Sequence, residues 1–103
     1  ITRQWQRLFT EFDAIFTPVF GTVAFEHVEE PDWKKRTLMM NGVEEPFAPQ
    51  IAWIGQATYP GLPAVSVPVG RDGHLPIGIQ VIAPHWQDQN AIALAGILHA
   101  LIS

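Results

Sequence analysis

Between Tyr59 and Pro84 the chain reads YPGLPAVSVPVGRDGHLPIGIQVIAP, and no other stretch constrains the fold so tightly. It holds five of the chain's nine prolines and four of its eight glycines, yet Val and Ile fill the intervals between them. Proline cannot donate to a sheet ladder, so inside strands it is confined to edges, first residues and bulges. The breakers must therefore act as punctuation. Gly61-x-Pro63 enters a first strand, AVSVPVG, which Pro68 and Gly70 end. Asp72-Gly73 is a turn pair able to supply positive φ, and Pro76 opens a return strand that Pro84 closes. The stretch reads as a β-hairpin whose first strand forfeits a hydrogen bond at Pro68.

The segments around it take simpler patterns. Trp5, Leu8, Phe9 and Phe12 stand at i, i+3, i+4 and i+7, which predicts an amphipathic helix over Thr2 to Phe12 with this stripe in the core. Ala14 to Thr17 reads as a short buried strand stopped by Pro18. Thr22 to Glu45 mixes polar and charged residues with Pro31 and Asn41-Gly42, and reads as a long surface excursion. Phe47, Ile51, Ile54 and Thr58 keep helical spacing, so a short helix is expected before Tyr59-Pro60-Gly61.

After the hairpin, QDQNAIALAGILHALI predicts a closing helix, with Asp88 favoured in its first turn by the helix dipole. Ala91, Leu94, Ala95, Leu98, Leu101 and Ile102 form one apolar face, while Ile92 and Ile97 lie outside it. A helix apolar on several sides is buried on several sides, and Gly96 allows a neighbour to come close. The order is thus α, β, long loop, α, β-hairpin, α: an α/β class with a mixed-sheet fragment flanked by helices, residues 1–103 forming one domain or a segment of one.

Composition bounds the partners. Charged residues make up only 16% of the 103, against about 25% in an ordinary soluble domain, and the deficit implies missing neighbours: self-association or a larger protein. A start on Ile1 in what reads as mid-helix points to a segment. The net charge is −4 and the only basic cluster, Lys34-Lys35-Arg36, is bracketed by acids, which argues against nucleic acid, since phosphate recognition needs a coherent positive face. No cysteine is present, which removes disulfides, thiolate nucleophiles and Cys-based metal sites and fits a cytoplasmic protein. No signal-peptide pattern opens the chain, and its longest apolar run falls short of the ~20 residues that span a bilayer.

The search for chemistry returns little. A serine hydrolase needs a nucleophile, a base within hydrogen-bond reach and an oxyanion site. The two serines are Ser66 and Ser103; Ser66 alternates with Val65 and Val67 and reads as a strand residue. His27 with Glu26, Glu29 and Glu30 is the one dense group of metal-type ligands, but no second His stands at i+4, so it reads as a solvated acidic loop rather than a small metallohydrolase centre. His74, His85 and His99 are scattered, as are Trp5, Trp33, Trp53 and Trp86. Trp5 and Trp53 are expected in core or interface packing, Trp33 and Trp86 at the border of a groove. No phosphate-loop pattern occurs among the glycines.

Taken together, DAIFTPVFG and the downstream ATYPGLPAVSVPVGRDGHLPIGIQVIAPHWQDQNAIALAG resemble the C-terminal portion of amidase signature enzymes, amidase-like or resembling the A component of a Glu-tRNA(Gln) amidotransferase. The resemblance is carried by Asp13 through Pro18, Gly61, Pro63, Ala64, Pro68, Gly70, Leu75, Pro76, Gly78 and Gln80, in register. It departs at Thr58, where the family often has Asn, and is weakest over Thr22 to Glu45.

The resemblance implies an amide hydrolase with a Ser, cis-Ser, Lys triad acting on a small-molecule amide. None of those groups stands in this chain: the serines are unpaired, and Lys34 and Lys35 lie in a charged loop. The expectation is a tail that adds strands and a covering helix to a large sheet and can line the substrate pocket, with no catalytic, cofactor-binding or metal-ligating residue of its own. Its partner would be the remainder of the enzyme or a second copy. The alternative is a free-standing binding or assembly module that self-associates through strand edges.

Overall fold

The structure is a computed structural model and describes residues 1–102. Its centre is the predicted hairpin. β4 (Ala64–Asp72) pairs antiparallel with β5 (Leu75–Ile82), and β5 pairs on its other side with β1 (Ile15–Pro18), giving a sheet in the order β1-β5-β4. The hairpin is tighter than the sequence pattern suggests: Asp72 pairs with Leu75, so Gly73-His74 forms the loop.

Each proline in the sheet sits where its missing N–H is tolerated. At Pro68 the register slips, with Pro68 opposite Gly78 and Gly70 opposite Ile77, so the breaker creates a β-bulge. Pro76 lies in the first part of β5, before β1 joins it at Ile79. Pro18 is the last residue of an edge strand.

Gly61 and Pro63 have an equally local cause. α2 (Ala52–Thr58) is stopped by Gly61 at φ 74°, with Leu62 N–H donating to the Ala57 carbonyl at 2.9 Å and Gly61 N–H to Thr58 at 3.1 Å. This is a Schellman closure, which needs a left-handed residue and is commonly followed by proline. The chain leaves it straight into β4.

α3 (Asp88–Ile102) covers one face of the sheet. Its small residues Ala91 and Ala95 are buried, and Ala95 packs with Val67 of β4 and Val81 of β5; Val65, Val69, Ile79, Leu94 and Leu98 surround this centre. Burying a Val or Leu side chain fully is worth about 1.5–3 kcal/mol, so this seam carries much of the fold's stability. Ile82 is also fully buried, but alternation puts it on the other face.

Two expectations are overturned. The first helix, α1 (Thr2–Leu8), is shorter than Thr2 to Phe12, and its stripe is not core. No α1 residue is buried, and Phe12 is 51% exposed. The periodicity is real, but the stripe is only partly covered: Trp5 and Phe9, stacked at 5.9 Å, are half-buried, Trp5 beside α2 and Phe9 beside Leu62 and Pro84, while Leu8 and Phe12 are exposed. Trp53, expected in core or interface packing, is exposed and therefore not core.

The Thr22 to Glu45 excursion is not structureless either. After a 3-10 turn at Trp33–Lys35, β2 (Thr37–Met40) and β3 (Val43–Pro46) form a second hairpin through Asn41 and Gly42, at φ 54° and 80°. Both central residues are left-handed, as a type I′ turn requires, and Asn-Gly is its preferred pair. Leu38 is buried, while Phe20, Phe25 and Phe47 cluster with centroids 5.5–6.2 Å apart. A second 3-10 turn, Ala48–Ile51, leads into α2.

The molecule is open and flat. Its accessible surface is 7470 Å², against about 5,800 Å² for a folded monomer of its mass. The radius of gyration is 15.4 Å, against about 13 Å for a compact chain of this length. The excess lies on identifiable apolar groups: Ile97 is 57% and Leu101 79% exposed on α3. Leu101 and Ile102, expected on the buried face of that helix, stand largely outside it.

Candidate functional site

The face of the sheet opposite α3 carries its polar side chains. The register aligns Thr17 of β1, Gln80 of β5 and Ser66 of β4 in one row across the three strands. Ser66 thus stands opposite the Val65–Val67 face, as alternation requires, and is exposed. Among the described residues its hydroxyl makes no hydrogen bond. Ser103 lies outside the described residues.

Gln80 is the one buried polar residue among those described, at 5% exposure. Its side-chain nitrogen donates to the Trp53 carbonyl of α2 at 2.6 Å and to the Pro18 carbonyl of β1 at 3.2 Å. Among the described residues no buried side-chain nitrogen or oxygen is left without a partner. The signal for this role was a single Gln inside the apolar run IGIQVIAP, which periodicity alone does not explain.

Beside the row, where β1 has ended, Pro18–Phe25 and the Pro76–Ile79 part of β5 enclose a groove of about 460 Å³. Its lining includes Val19, Phe20, Phe25, Ile77 and Ile79 and contains no charged residue. A second groove of about 440 Å³ lies between the bulged end of β4 and the last turns of α3, bordered by Arg71 and His99.

The remaining candidates do not converge. Among the described residues, no three His, Asp or Glu side chains gather where they could hold a metal ion. His27, Glu26 and Glu29 are exposed, and Glu30 serves its own loop: its carboxylate accepts from Asp32 N–H at 3.2 Å and its carbonyl from Arg36 Nε at 2.6 Å. Arg36 lies 5.8 Å from the Phe47 ring centre, so the basic cluster is drawn into packing of this hairpin. Lys34 N–H caps back to Asp32 at 3.1 Å. His74 occupies the β4–β5 loop, and His85 lies 6.3 Å from Trp86, which is 92% exposed at φ 66°. Among the described residues no helix is long and apolar enough to cross a membrane.

The geometry defines a class before it defines a family: an α/β arrangement in which a three-stranded antiparallel sheet is covered on one face by a helix. The comparisons with known proteins agree with the motif reading. The family model described as Amidase matches residues 1–92. Over 102 residues the chain is 31% identical to the A component of the glutamyl-tRNA(Gln) amidotransferase of Leptospira interrogans, covering 98% of this chain and 19% of that protein. It is 36% identical over 106 residues to the same component in Koribacter versatilis, with 98% and 19% covered, and 35% identical over 99 residues to that of Synechococcus sp. RCC307, with 92% and 18% covered. The chain belongs to the amidase family, and it spans about a fifth of the length of these relatives.

Proposed function

We propose that this chain is a scaffold segment of an amidase-type enzyme that hydrolyses carbon–nitrogen bonds, and that it has no turnover by itself. It supplies the β1-β5-β4 sheet, the helix over one face, and one wall of a pocket for an amide substrate. The nucleophile, its relay groups and the oxyanion site belong to the remainder of such an enzyme. The observation that carries this reading is the surplus surface: the family's Gly, Pro and Gln positions build a well-packed hairpin and helix, while the faces beside them stay open. An apolar patch of this kind marks an interface.

A second reading is favoured by the same exposure. β1 and β4 are edge strands, and Ile92, Ile97 and Leu101 leave α3 greasy on its outer side, so two copies of the chain could meet there. One purified sample tests both readings. The 103-residue chain is incubated with glutamine and with simple aryl and alkyl amides while ammonia release is measured, and its mass is read by light scattering. No ammonia above background is expected; turnover that disappears in Ser66→Ala overturns the scaffold reading. A monodisperse monomer overturns self-association.

A further inference from the structure

We propose that Gln80 is a positioning residue that locks α2 and the end of β1 onto the central strand and thereby sets the wall of the Pro18–Phe25 groove. The proposal rests on the scaffold reading only for what the groove is used for; the lock itself stands on geometry.

Both partners of the Gln80 side chain are carbonyl oxygens, which can only accept. The carboxamide nitrogen must therefore face them, and its two N–H groups are both spent, one on Trp53 and one on Pro18. These acceptors are 27 and 62 residues away in sequence, so one side chain joins three elements that the chain visits at separate times. Apart from the burial of Ala57, α2 presents mostly exposed residues. Pro18 is where β1 ends and the groove wall begins, and the wall runs from it through Phe20 to Phe25. Fixing the Pro18 carbonyl fixes the root of that wall.

The chemistry ranks the substitutions. Gln80→Met keeps the volume and drops the donors, so the Trp53 carbonyl loses its tie to β5 and the Pro18 carbonyl is left with the Thr17 hydroxyl at 3.0 Å. Gln80→Glu keeps the shape but aims oxygen at oxygen, so it is the worse replacement.

The test is hydrogen exchange on the full 103-residue chain, with a readout independent of amide turnover, so its failure and that of the amidase reading are distinguishable. In Gln80→Met, protection of α2 amides and of the backbone at 19–25 is expected to fall roughly tenfold or more, while amides in the centre of β4 and in α3 keep theirs. Loss spread evenly over the molecule, or no loss at α2, overturns the proposal. Where the variants do not fold, the wild-type chain decides: the side-chain amide protons of Gln80 should exchange at least roughly tenfold more slowly than those of the exposed Gln4 and Gln6. Equal rates overturn it.

Discussion

The β4–β5–α3 half of the molecule and the α1 helix carry similar sequence signals and have opposite fates. In the first, alternation and helical periodicity end in full burial: Val81, Ile82, Ala83 and Ala91 have no exposed surface. In the second, a stripe of Trp5, Leu8, Phe9 and Phe12 with correct spacing has no buried member. Periodicity reports that a face is apolar; it does not report what covers that face. For Val81 and Ala91 the cover is encoded within one continuous stretch of chain, β4 through α3. For the Trp5–Phe12 stripe the cover is partial: Trp5 and Phe9 are half-buried, while Leu8 and Phe12 are exposed.

The contrast can be broken by substitution in the purified chain, read by thermal or denaturant unfolding. Ile82→Ala is expected to cost the most, about 2–5 kcal/mol, because a fully buried side chain leaves a cavity as well as a transfer loss. That is enough to unfold a domain of marginal stability. Gly61→Ala comes next, at about 1–2 kcal/mol, since Ala must adopt the left-handed conformation that closes α2. Phe12→Ala is expected to change stability by no more than about 0.5 kcal/mol, as an exposed position does. A Phe12→Ala cost matching that of Ile82→Ala would erase the distinction between the two regions and show that the segment after α1 is packed in solution.

Much of the architecture was legible in residue order. The hairpin, the closing helix, the short strand before Pro18 and the end of α2 at Gly61 all follow from local chemistry, because turn and cap residues act within a few positions. The β2–β3 hairpin was visible only at Asn41-Gly42. Its strands, TLMM and VEEP, alternate too weakly for the apolar pattern to announce them, and their hold comes from Leu38 and the Phe20–Phe25–Phe47 cluster. The Arg36–Phe47 approach and the use of Glu30 within its loop were likewise invisible, since both depend on that hairpin folding back.

The candidate site divides along the same line. Ser66 could be placed on the face of its strand opposite Val65 and Val67 from its neighbours alone. Gln80 could not be read that way. Its position in the motif was plain, but its work depends on Trp53 and Pro18 arriving from distant parts of the chain.

By itself the sequence determined the punctuation of the sheet and the family to which the chain belongs. Gly, Pro and the strand formers act through their own backbone preferences, so their meaning survives without neighbours. Only the tertiary structure decided which apolar stripes become core, where Pro68 bends the ladder, and why a lone Gln sits in an apolar strand. Those outcomes depend on which groups meet across the fold, and burial and hydrogen bonding are properties of the meeting.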